Sequence, residues 1–219
     1  MDPGGVMKRT RKFALAVAAG AVTAGALVAA PALAAGPGGP GDPRPQGQGQ
    51  YMGQYMGRGN PDGYCMLFDR SAPKGTLTAA QKSALASAAE QEKLAVDLYA
   101  AFADQYDLRV FDRIVAAETQ HLRAVRTVLA RYGVTDPTQG QAAGEFGSAS
   151  VRASYDRLLA QGKSGAQAAL KAGREAEQAR IDALRKALSG LTAPDVKQLY
   201  TNLLRAERMH LTAFERWIG

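Results

Sequence analysis

The chain contains two histidines, and each lies three residues after a glutamate, in Glu118-Thr119-Gln120-His121 and Glu207-Arg208-Met209-His210. Residues three apart on an α-helix share a face, so each pair aims one carboxylate and one imidazole the same way. Both pairs interrupt apolar stripes of helical spacing. One stripe is Ile114, Glu118, His121, Val125 and Val128; the other is Val196, Leu199, Leu203, Glu207, His210, Phe214 and Trp217. Two further stripes hold a single glutamate each: Leu85, Ala88, Glu92, Ala95, Tyr99 and Phe102, then Leu170, Gly173, Glu177, Ile181 and Leu184. A buried carboxylate costs several kcal/mol unless it is paired or bound to a cation. Four of them meeting in one core would repel strongly unless cations neutralised them. The alternative is an ordinary helical protein with solvated glutamates.

The phasing separates these glutamates from their neighbours. Seven residues either side of Glu92 stand Leu85 and Tyr99, whereas Glu90 is flanked by Ser83 and Asp97. Glu177 is flanked by Leu170 and Leu184 in the same way. Glu90 and Glu175 are therefore expected on solvated faces.

The elements that must carry these residues are helices. Hydrophobic residues make up 46% of the chain and aromatics only 7%, a mix that suits packed helices better than a sheet sandwich. Thr78-Ala79-Ala80-Gln81 reads as a capping box opening a first helix that runs to about Gln105. A second spans Val110 to Tyr132 and stops at Gly133. Residues 134–148 read as loop and 150–161 as a short helix. Ser164-Gly165-Ala166-Gln167 reads as a second capping box, for a third long helix that runs to Ser189 with Gly190 as its stop. Thr192 is expected to cap the fourth, with Pro194 and Asp195 in its first turn. Glu92 and Glu118 stand about equally far from the first turn, and Glu177 and Glu207 from the Gly190 turn, so each pair comes level in an antiparallel hairpin. The domain thus reads as two copies of one unit, a glutamate helix followed by a Glu-x-x-His helix.

One glutamate from each of two helices, with Glu-x-x-His from the other two, resembles the ligand set of ferritin-like di-iron carboxylate proteins. The resemblance covers about Leu77 to Ile218 and points to bacterioferritins, rubrerythrins and, nearest, an uncharacterised group of bacterial ferritin-like domains. Its strongest stretch is Glu92-Lys93-Leu94-Ala95-Val96-Asp97-Leu98-Tyr99. It implies an all-α, ferritin-like antiparallel four-helix bundle with a long crossover containing a short helix. It implies two metal ions, iron first and manganese or zinc as alternatives. Glu92 and His121 would bind one ion terminally, Glu177 and His210 the other, and Glu118 and Glu207 would bridge. Tyr99 would stand beside the site as a hydrogen-bond donor, a redox-active group or simply a core aromatic. Asp97 or Asp182 could orient a ligating histidine, with a surface role as the alternative. The implied activity is redox chemistry on Fe(II), O2 or peroxide, with non-enzymatic metal sequestration as the alternative. Arg180 departs from the rubrerythrin pattern, where a carboxylate would be expected; a cation there would trim ligand charge or change access to the site, which counts against rubrerythrin-type peroxidase chemistry. There is no Cys-x-x-Cys relay, and no fifth short helix of the kind that storage cages use follows the fourth, which leaves a homodimer open.

Residues 1–34 read as a secretory signal, with Lys8, Arg9, Arg11 and Lys12 before the apolar run Phe13 to Ala30, and cleavage expected after Ala34. An uncleaved anchor is the alternative. Residues 35–75 are expected to be a disordered Gly-, Pro- and Gln-rich tail, and 76–219 the helical domain. The tail holds a Gln-Tyr-Met-Gly repeat at 50–53 and 54–57, whose methionines, with Cys65 and Met66, are a weak soft-metal signal. The formal charge of +7 falls to +4 once the leader's four cations and one acid are gone, and no basic stripe interleaves with aromatics. Nucleic acid is therefore not an expected partner; metal ions and O2 or peroxide are. The single cysteine, Cys65, excludes a thiolate-held zinc or iron–sulfur centre within one chain. The expected location is extracytoplasmic, with no stable membrane span after cleavage.

Overall fold

The computed structural model describes residues 71–219. The expected signal, its cleavage point, most of the tail and Cys65 lie outside those residues. Among the described residues there are five helices and no strand: α1 Ala79–Gln105, α2 Arg109–Tyr132, α3 Ala149–Gly162, α4 Ala166–Leu188 and α5 Pro194–Ile218. None is long and apolar enough to cross a membrane. α1 packs along α2 and α4 along α5, while α1 also meets α4, and α2 meets α5. α3 lies against α1 and α4.

The ends of the helices show which local signals act. Thr78 Oγ1 accepts from the Gln81 amide at 3.2 Å while Gln81 Oε1 accepts from the Thr78 amide at 2.9 Å, closing the expected capping box. The box expected at Ser164 does not form. Gly165 is the residue before α4 and gives no side-chain cap, because the Ser164 hydroxyl donates back to the Gln161 carbonyl of α3 at 3.0 Å. Nor does Thr192 cap α5. Ala193 stands at that position, and Pro194, with its preset φ, starts the helix. Gly133 closes α2 in the left-handed region at φ 62°, a conformation glycine takes without strain.

Residues 72–75, placed by sequence in the tail, are held against the helices. The Ala72 carbonyl accepts from Arg131 Nη2 at 2.9 Å, and the Gly75 amide donates to Tyr132 Oη at 3.0 Å. Tyr132 in turn donates to the buried Asp195 Oδ1 at 2.6 Å, tying the start of α5 to the end of α2.

The interior consists of two apolar clusters. One gathers Leu85 and Ala89, then Leu122 to Leu129, then Val196 to Leu203. The other gathers Leu94 to Phe102, Val110 to Ile114, Leu170 and Phe214. On each of the four long helices the polar stripe residues fall between the stretches given to these two clusters, so a charged layer separates them. The crossover is fastened to the outer face of α1. Glu90 Oε1 accepts from the Ser148 amide at 2.8 Å, Asp97 Oδ2 accepts from the Gly144 amide at 2.9 Å, and Lys93 Nζ donates to the Ala142 carbonyl at 2.7 Å and to Asp97. Glu90 is therefore buried, against the expectation of a solvated face, because the loop after α2 returns over it. Glu175 is on the surface, paired with Arg157 at 2.8 Å. Trp217, counted by sequence in the apolar stripe of α5, is exposed; Phe214 is the last fully buried residue of that helix.

Candidate metal centre

Each of the four long helices delivers its stripe residues to one place. Glu92 comes from α1, Glu118 and His121 from α2, Glu177 from α4, and Glu207 and His210 from α5. All are buried, and Glu118, Glu177 and Glu207 have no exposed surface. Glu118, His121, Glu207 and His210 each present a ligand atom, all within 4.8 Å of one another. The imidazoles stack, with ring centroids 5.4 Å apart and planes inclined by 19°.

The distances divide the centre into two halves that share Glu118 and Glu207. In the first, His121 Nδ1 faces Glu118 Oε2 at 2.9 Å, Glu207 Oε1 at 3.1 Å and Glu92 Oε2 at 3.5 Å. In the second, His210 Nδ1 faces Glu118 Oε1 at 2.9 Å, Glu207 Oε2 at 3.1 Å and Glu177 Oε1 at 3.7 Å. One oxygen of Glu118 and one of Glu207 thus point into each half.

Tyr99 lies beside the second half, where its hydroxyl donates to Glu177 Oε1 at 2.7 Å. Asp97 and Asp182 do not reach the histidines. Asp97 holds the crossover, and Asp182 is a surface residue paired with Arg185 and Gln178.

The residue that sequence reasoning undervalued is Arg180. It is fully enclosed and its Nη2 donates to Glu92 Oε2 at 2.6 Å, Glu118 Oε2 at 2.8 Å and Glu207 Oε1 at 2.6 Å. Its Nη1 stands 3.7 Å from Glu177 Oε2, so the guanidinium touches all four glutamates. A signal was present: Arg180 follows Glu177 by three residues and precedes Leu184 by four, on the face of α4 that turns inward.

Charge in this layer is shared unevenly. Burial pushes the Glu118 carboxyl up, but Arg180 and the two imidazoles outweigh it and hold Glu118 well below the ordinary carboxylate range. Glu207 is likewise drawn down, to about 2, against its own burial. Burial wins at Glu92, raised to about 7, and at Glu177, raised well above its ordinary value. Burial opposes charge on the histidines, yet Glu118 and its fellow carboxylates hold His121 well above its ordinary value and His210 at about 10. One guanidinium and two imidazoliums leave one negative charge over against four carboxylates, and burial favours a single proton on the outer pair, Glu92 or Glu177, to take it up.

This donor set fits a metal ion. Oxygen from carboxylates and nitrogen from imidazole suit iron, manganese and zinc. Buried acceptors stand ready as well: Glu177 Oε2 has no hydrogen-bond partner, and Glu118 Oε1, though close to His210 Nδ1, has none of acceptable geometry. Buried polar atoms left in this way are costly unless something satisfies them.

Residues 81–219 match a family described as an uncharacterized protein domain (DUF2202). The chain is 31% identical over 149 residues to uncharacterized protein MJ0754 of Methanocaldococcus jannaschii, a match covering 68% of this chain and 80% of that protein. It also resembles the crystal structure of hypothetical protein MJ0754 from Methanococcus jannaschii DSM 2661, with a TM-score of 0.66 at 31% identity over 68% of this chain and 85% of that one. The chain belongs to the DUF2202 family, whose matched region contains every residue of the buried centre.

Proposed function

We propose that this member of the DUF2202 family is an extracytoplasmic metal-binding protein of ferritin-like, antiparallel four-helix design, whose centre holds iron for redox chemistry on Fe(II), O2 or peroxide. The observation that carries the reading is the convergence of Glu92, Glu118, His121, Glu177, Glu207 and His210 in one buried layer, where Glu177 Oε2 has no hydrogen-bond partner. The helix order supports it. α1 with α2, and α4 with α5, repeat one unit, and α3 occupies the crossover.

In this reading Glu92 and His121 serve one ion, Glu177 and His210 the other, and Glu118 and Glu207 both. Bound iron would supply the electrons that O2 or peroxide chemistry requires. The chain's own part is to bind, to exclude water and to place protons. Two apolar clusters seal the layer on both sides. Tyr99 directs its proton at Glu177 Oε1, fixing the rotamer of the carboxylate opposite His210. The export assignment rests on the leader at residues 1–34.

The test is metal content per chain after anaerobic loading with Fe(II), followed by optical spectra on admission of air. Bound iron with a near-ultraviolet band that grows in air supports the redox reading. Tight metal binding with no oxidation would replace it by sequestration, and no binding of any divalent ion would leave a metal-free helical domain.

A further inference from the structure

The two halves of the centre offer matched donors, but only one of them is held by Arg180. Arg180 Nη2 lies against Glu92 Oε2, Glu118 Oε2 and Glu207 Oε1. These are the same three oxygen atoms that His121 Nδ1 faces. A cation entering the His121 half would need those oxygens, and a positively charged nitrogen already holds them at 2.6 to 2.8 Å. In the His210 half, Glu118 Oε1 and Glu207 Oε2 make no bond to Arg180, and Glu177 Oε2 is 3.7 Å from its Nη1. Glu177 Oε2, an acceptor with no hydrogen bond, belongs to this second half, and Glu118 Oε1 there meets only His210 Nδ1, at 2.9 Å.

On the metal-binding reading above, we propose that Arg180 is a resident cation that competes for the His121 half, so that the centre loads in two unequal steps. The first divalent ion enters the half formed by Glu118 Oε1, Glu177, Glu207 Oε2 and His210. The second must displace the Arg180 guanidinium from three carboxylates. Arg180 is deeply buried and always charged, so its removal from this layer leaves charge-assisted hydrogen bonds unmade. Arg180 acts here as a positioning residue that decides how many ions the centre holds at a given metal concentration.

The experiment is an anaerobic Mn(II) titration of the full chain and of Arg180→Met, Arg180→Gln and Arg180→Lys, read by bound equivalents and by electron paramagnetic resonance. Wild type should take one equivalent, with the six-line spectrum of an isolated ion, and bind a second at least tenfold more weakly. Arg180→Met and Arg180→Gln should bind two equivalents within threefold of each other and give the spectrum of a coupled pair, while Arg180→Lys should behave as wild type. Two equal equivalents in the wild type would overturn the proposal, and this measurement needs no variant to fold. So would a single equivalent in helical, soluble Arg180→Met and Arg180→Gln. Failure of the metal reading itself is separate: there, neither the wild type nor any variant would bind Mn(II), Fe(II) or Zn(II).

Discussion

Raising the pH from 6 to 8 should tighten metal binding by at least about a hundredfold, because the metal-free centre carries protons that an ion must expel. His210 titrates at about 10 in the metal-free protein, so it is protonated throughout that range, and a ligating imidazole must give that proton up. One displaced proton changes apparent affinity about tenfold per pH unit, or about 1.4 kcal/mol, hence about a hundredfold over two units. Glu177, raised well above its ordinary value by burial, adds a second proton wherever it is still protonated, and the slope then approaches two. Calorimetric titration with Zn(II), repeated in buffers of different ionisation enthalpy, counts the protons directly, and His210→Gln should lower the count by one. The stability of the metal-free protein should move the other way. A histidine raised from 6.5 to about 10 contributes stability that is fully present below pH 6.5 and lost as the pH rises through about 10. Glu92, raised to about 7, has the same sign between about 4.5 and 7. Metal-free protein should therefore melt at progressively lower temperature from pH 6 to 10. A metal affinity that does not vary with pH, with no proton released, would refute the protonation pattern derived from the geometry.

Glu118→Ala or Glu207→Ala should abolish tight metal binding, since each removes a carboxylate common to both halves; unchanged metal content per chain would sink the shared-ligand assignment. Tyr99→Phe removes the donor to Glu177 Oε1 and should cost about 1–3 kcal/mol in urea unfolding with metal stoichiometry retained. In Gly173→Ala the new Cβ would fall 2.7 to 3.0 Å from the Phe214 ring, and overpacking of that kind costs about 1–3 kcal/mol. Adding Phe214→Leu should return part of the loss, and a strictly additive double mutant would count against the clash. A chain beginning at residue 71 should keep its helicity and metal load, whereas one beginning at 76 should melt earlier, having lost the Ala72 and Gly75 hydrogen bonds.

How much of this was legible in the sequence depends on whether a residue's surroundings come from its own helix. The four stripe glutamates and both histidines were found because their neighbours at three, four and seven residues are apolar and on the same helix, which periodicity reports directly. Glu90 was misjudged for the complementary reason. Its own helix gives it polar neighbours, but the cover comes from Ser148, 58 residues on. The same limit applies to Ser164, whose hydroxyl turns back to α3.

Arg180 is the instructive case, since its position and its bearing on ligand charge are readable in the sequence and its partners are not. As an exception to a carboxylate pattern it reads as a cation that trims ligand charge or changes access to the site. Only the convergence of three helices on its Nη2 shows that it sits among the ligands. A buried guanidinium contacting four carboxylates is a stabilising counter-charge and, by the same contacts, an obstacle to a second divalent ion. The two roles cannot be separated by a stability measurement alone, because removing Arg180 destabilises the metal-free layer under either one. They separate in the metal titration. A pure counter-charge would be replaced equally well by an ion in either half, whereas a competitor placed on Glu92 Oε2, Glu118 Oε2 and Glu207 Oε1 penalises the His121 half only.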